Sequence, residues 1–166
     1  MAENWEKKEE YSKALAEKIR KSEFKPDLIL AIEKSGVHVA EIIARELGIP
    51  TERITINRPV SKKKKSGRTP KAVIEVIKLF QKPVVVKSEK SSLKGQRVLI
   101  IDNSVSSGKT IELAKQILAS RGVNTANIQV ASLYYLKSRK KTPPNYFLTH
   151  RRTRLWRPKA PKIKKV

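Results

Sequence analysis

The sequence predicts an α/β domain: a parallel sheet with helices on both faces, followed by a basic C-terminal tail. Three observations carry that reading. Short apolar runs alternate with segments of helical period along most of the chain. One stretch, Val98 to Leu118, spells strand, loop and helix in sequence: four apolar residues, the acid Asp102, a small hydroxyl-rich turn from Ser104 to Gly108, then apolar residues at helical spacing. A length of 166 residues suits one such domain with a proper core.

In chain order, Trp5, Tyr11, Leu15 and Ile19 among charges predict an amphipathic helix over 5–21. Leu28–Ile32 reads as a buried strand. Residues 33–36 form a turn, and a helix from Val37 to Leu47 turns Val39, Ile42, Ile43 and Leu47 inward, with Gly48 as its stop. Arg53–Ile56 is a second strand. Asn57–Pro70 is polar, basic and rich in breakers, so it reads as an exposed loop. The apolar run 72–80 fits a short helix or a strand. Val84–Val86, Val98–Ile101 and Asn127–Tyr135 read as strands, a helix spans 108–121, and Tyr146–Leu148 is a last strand. The expected organisation is one domain over 1–149, with a basic insertion at 58–80, and an extended tail over 150–166 in which Pro158 and Pro161 oppose regular structure.

Composition narrows the chemistry. Cysteine is absent, which excludes disulfides, thiolate nucleophiles and zinc–cysteine sites, and the two histidines, His38 and His150, lie far apart. No apolar run is long enough to span a bilayer, and a cytoplasmic location is expected. The net charge is +23, from 38 Lys+Arg against 15 Asp+Glu. From Ser91 onward only two acids, Asp102 and Glu112, accompany seventeen basic residues. A field of that kind suits a polyanion, because cations that neutralise phosphates release counterions.

The turn after Asp102 offers backbone N–H groups and hydroxyls at a helix N-terminus, where a phosphate is well placed. A Walker-type loop requires a glycine where Asn103 stands, so Gly108-Lys109-Thr110 only approaches that motif. Val98–Thr110 instead resembles the signature of the type I phosphoribosyltransferases, an apolar run, two acids and a hydroxyl–glycine loop, with Asn103 in place of the second acid. From about residue 10 to 158 the order of motifs is similar to that of the purine (hypoxanthine/guanine/xanthine) members. Leu28–Pro50, with Ala-Arg-Glu-Leu-Gly-Ile at 44–49, resembles the diphosphate loop and its helix, and Ser132–Lys137 resembles the strand whose terminal lysine reads the purine.

The resemblance implies a phosphoribosyltransferase-like (Rossmann-like) sheet and a set of roles. Asp102 and Asn103 would face the ribose. Ser106, Ser107, Gly108, Lys109 and Thr110 would wrap the 5′-phosphate. Lys34, Ser35 and Gly36 would contact diphosphate, and Lys137 would bind the base. In a working enzyme Asp102, Ser106 and Lys34 would be the catalytic candidates and Mg2+ would be required. The departures bear on that chemistry: Asn103 lacks the acid's charge, Ser106 stands where purine enzymes often carry aspartate, and His150–Arg157 contains no acid for a second metal.

Those departures and the charge together lead to an expectation of an RNA-binding, catalytically impaired protein associated with a ribonucleoprotein such as the ribosome, with no resident cofactor or metal. Its RNA contacts would be Lys62, Lys63, Lys64, Lys65 and Arg68 in the insertion, and Arg139, Lys140 and Lys141 after the fifth strand. In the tail they would be Arg151, Arg152, Arg154, Trp156, Arg157, Lys159, Lys162, Lys164 and Lys165. A residual nucleotide or phosphate ligand is compatible with this, a membrane is not expected, and the alternative is an active, magnesium-dependent purine phosphoribosyltransferase.

Overall fold

Apolar residues of the four central strands sort by alternation onto two sides of one sheet, and helices cover each side. The computed structural model describes residues 5–33, 36–57, 84–87, 91–136 and 143–151. The elements are α1 (Trp5–Arg20), β1 (Leu28–Glu33), α2 (Val37–Leu47), β2 (Thr51–Asn57), β3 (Val84–Lys87), β4 (Val98–Val105), α3 (Lys109–Ser120), a short 3-10 turn (Thr125–Asn127), β5 (Ile128–Leu136) and β6 (Tyr146–Arg151). The sheet order is β3-β2-β1-β4-β5-β6. Five strands run parallel, while β3 pairs antiparallel with β2 at the edge.

Ile29, Ala31, Leu99, Ile101, Ala131 and Leu133 pack with Leu15, Ile19, Val39 and Ile43 of α1 and α2. Leu28, Leu30, Ile32, Val98, Ile100 and Val130 pack with Ile111, Ala114 and Leu118 of α3. Helices therefore lie on both faces, as a strand buried on both sides requires. Gly48, at φ 68°, ends α2 in the left-handed conformation, its N–H bonded to the Ala44 carbonyl.

The amino ends of the strands are tied by charge. Arg97 grips Asp27 through Nε and Nη2 at 3.1 and 2.9 Å, joining the starts of β4 and β1. That cation and its hydrogen bonds hold the Asp27 carboxyl below the usual aspartate range. Arg121, which caps α3, donates to both carboxylate oxygens of Glu52 at the start of β2 and to the Ser91 carbonyl at 2.8 Å; the Arg121 side chain is buried and that of Glu52 is about 10% exposed.

Several expectations shift. Trp5 does not turn inward: it is 67% exposed, its ring edge-on to His38, and the buried stripe of α1 is Ser12, Leu15, Ala16 and Ile19. β4 runs on to Val105, so Asp102 and Asn103 belong to the strand; the ladder to β5 continues through Asp102–Ser132 and Val105–Tyr135 and overrides the polar composition. β6 extends to Arg151, which pairs with Leu136, so the expected boundary at 149 falls inside a strand. The insertion 58–80, including the 72–80 segment, and the tail beyond 151 lie outside the described residues.

Candidate functional site

Because β1, β2, β4, β5 and β6 are parallel, their carboxyl ends meet along one edge, the edge at which open α/β sheets bind ligands. Two helices begin there. α2 starts at Gly36 and α3 at Gly108, and neither glycine offers a side chain to cap the first turn. The positive ends of two helix dipoles are therefore presented at one sheet edge, from opposite faces.

Gly36 is required by close approach. A Cβ there would lie 2.6 Å from the Ile101 carbonyl oxygen, 2.7 Å from that of Ile32 and 3.0 Å from the Asp102 Cα. Gly36 thus rests directly on the backbone of β4, and its N–H donates to the Ile32 carbonyl at 2.9 Å. Gly108 is required by conformation: at φ 72° it turns the chain from the hydroxyl loop into α3.

Asp102 is buried, 5% exposed, at this edge. Thr110 is buried in the first turn of α3, Ser106, Ser107 and Gly108 are half-buried, and Lys109 is exposed. Asn103 is half-buried, and its Oδ1 is enclosed without a hydrogen-bond partner among the described residues. The structure therefore brings Gly36, Asp102, Asn103 and Ser106–Thr110 to one place. Lys34, Ser35, Lys137, Arg139, Lys140 and Lys141 lie outside the described residues, as do the cations of the insertion and the tail beyond Arg151.

One residue at this edge was not singled out from the sequence. Glu33, the last residue of β1, is half-buried and accepts a hydrogen bond from the Thr55 hydroxyl of β2 at 2.5 Å. In the sequence it is one acid among fifteen at the start of a turn; only the pairing of β1 with β2, Glu33 opposite Thr55, sets it apart.

Among the described residues no three His, Asp or Glu side chains gather where they could hold a metal ion.

The sequence model of the phosphoribosyl transferase domain family matches residues 3–156. The chain belongs to the phosphoribosyl transferase domain family. The adenine phosphoribosyltransferase of Rhodospirillum rubrum is 29% identical over 120 residues, covering 70% of this chain; the chain spans 65% of that relative's length. The crystal structure of a purine phosphoribosyltransferase from Pyrococcus horikoshii superposes with a TM-score of 0.67 at 26% identity, over 89% of this chain and 84% of that one. A Neisseria gonorrhoeae protein crystallised with bound ppGpp shares the fold at 24% identity, with a TM-score of 0.64 over 88% of this chain and 80% of that one.

Family membership across nearly the whole chain overturns the expectation of an RNA-binding, ribosome-associated protein, and the transferase alternative fits better. The physical reason is that net charge reports only that the exterior favours anions; a phosphorylated sugar satisfies that as well as a polynucleotide does. Of the cations assigned to RNA, only Arg151 falls among the described residues, and its backbone is a rung of the sheet. No helix among the described residues is long and apolar enough to cross a membrane.

Proposed function

We propose that the protein is a purine phosphoribosyltransferase, moving the 5-phosphoribosyl group of phosphoribosyl diphosphate onto a ring nitrogen of a purine. The bond from the anomeric carbon to diphosphate breaks and diphosphate leaves with the electron pair. A carbon–nitrogen bond forms on the purine, whose displaced N–H proton passes to solvent.

One observation carries this reading: two glycine-capped helix starts open at the same sheet edge with a buried carboxylate, Asp102, between them. A substrate with a phosphate at one end and a diphosphate at the other matches two anion sites flanking an acceptor for sugar hydroxyls. The loop Ser106–Thr110 holds the 5′-phosphate at α3, the turn closed by Gly36 holds the diphosphate at α2, and Asp102 accepts from the ribose. Magnesium arrives with the diphosphate as part of the substrate and neutralises the leaving group. The Rhodospirillum relative supports adenine as the first base to try.

The test is direct. Protein is incubated with phosphoribosyl diphosphate, magnesium and adenine, hypoxanthine or guanine in turn, and nucleoside monophosphate is separated and quantified. Product from at least one base is expected, with Asp102→Asn lowering kcat/KM about a hundredfold, as loss of a positioned substrate contact does. No product from any base would refute the proposal.

A further inference from the structure

We infer that Lys18 keeps the outermost parallel strand of the sheet closed against the same strand of a second copy of this chain. β6 ends the sheet order, so among the described residues it has a strand neighbour, β5, on one side only. The ladder fixes which backbone groups line its other edge. The Val130 N–H donates to the side chain of Asn145, the residue before β6, so the Val130 backbone faces β6. Bonding direction alternates along a strand, so Ser132 faces β6 as well. Ser132 pairs in parallel with Phe147, and a residue that faces its parallel neighbour bonds to the two residues flanking its partner. Tyr146 and Leu148 therefore take the bonds to β5, and the N–H and C=O of Phe147 point away from the sheet. Thr149, opposite Tyr134, points outward in the same way.

α1 covers this edge at one rung. Lys18 Nζ donates to the Phe147 carbonyl oxygen at 3.1 Å and lies 5.5 Å from the centroid of the Phe147 ring. The end of α1 is held beside the start of β6 by the Tyr146 hydroxyl, which donates to Ser22 Oγ at 3.0 Å. Lys18 is exposed, yet its ammonium sits on a backbone acceptor and an aromatic ring instead of extending into water. The contact fills an acceptor that an incoming strand needs, and it places a charge that such a strand would have to strip of water. The strand behind it pairs readily: Tyr146-Phe-Leu-Thr149 is uncharged and rich in residues that favour strands. A second β6 is the occupant that fits. In antiparallel pairing about a two-fold axis through Leu148, Phe147 of each copy stands opposite Thr149 of the other, and all four residues turn their bonding groups into the pair. The Phe147 carbonyl is then the acceptor for the Thr149 N–H, and Lys18 already occupies it.

Lys18→Met keeps an apolar stem and removes the ammonium. Sedimentation velocity is run over a concentration series in about 0.3 M salt, which screens repulsion between the cationic copies. The mass of Lys18→Met should climb with concentration to roughly twice that of the wild type, and amide exchange at Phe147 and Thr149 should slow about tenfold. Lys18→Ala should behave alike, and Lys18→Arg, which keeps the donor, should sediment as the wild type does. Adding Thr149→Pro to Lys18→Met removes an outward N–H without touching the ladder to β5, and should return the mass to the wild-type value. Wild-type mass and exchange in folded Lys18→Met and Lys18→Ala, or an association that Thr149→Pro leaves intact, overturns the inference.

Discussion

At the residue scale, the site depends on a close approach that admits no side chain. Gly36→Ala would drive a methyl group into two carbonyl oxygens and the Asp102 backbone, none of which is a flexible chain end. Such overpacking costs about 1–3 kcal/mol. The expected outcome is a lower melting temperature together with weakened diphosphate binding, because the turn and β4 must part. A melting temperature equal to the wild type's would mean that the turn can withdraw freely. Single residues were unevenly legible. Asp102 and Gly108 announce themselves in the sequence, one as an acid closing an apolar run and the other as the glycine before a helix. Glu33 does not, because its significance comes from a hydroxyl 22 residues away.

At the element scale, the two ends of the sheet are held differently. The carboxyl edge is built from glycines and small polar residues, the amino edge from ion pairs. Arg121 is buried; its guanidinium donates to Glu52 and to Ser91, and its backbone N–H to the carbonyls of Ile117 and Leu118 at the end of α3. Arg121→Ala leaves Glu52 enclosed without its cation and should cost about 3–5 kcal/mol, read as a loss of melting temperature or denaturant midpoint.

The Asp27–Arg97 pair adds a pH dependence. Its carboxyl is held below the ordinary range by Arg97, so it stabilises the fold above the unfolded value, near pH ~4, and that contribution fades as pH falls through the lower folded value. Melting curves of the wild type and Asp27→Asn should differ at neutral pH and converge in acid; a constant gap would remove the electrostatic explanation. Elements were legible where burial is complete. The strands β1, β4 and β5 are apolar runs covered on both faces, and pattern reading finds such runs. It stopped short at Asp102 and at Thr149 because polar residues continue a ladder whenever the neighbouring strand supplies partners, and that neighbour is remote in sequence.

At the scale of the whole molecule, alternation of strand and helix was enough to place the sheet and both helical layers. The direction of β3 was not, since four residues with an apolar run carry no sign of orientation. Nor could charge decide the class of ligand. A net +23 attracts every phosphate alike, and only the arrangement of two helix starts around Asp102 favours a small substrate with two phosphate groups over a long one.

The antiparallel pairing of β3 has a use for anyone who would re-engineer this chain. Asn57 and Val84 are opposite one another, so the end of β2 and the start of β3 meet across a single rung. Excising 60–81 and bridging the gap with a short glycine–serine connection therefore leaves the ends of β2 and β3 within reach of one another and the order of the described strands as it is. The shortened protein should melt cooperatively close to the temperature of its parent, and a collapse of that transition would mean the excised piece contributes to the core.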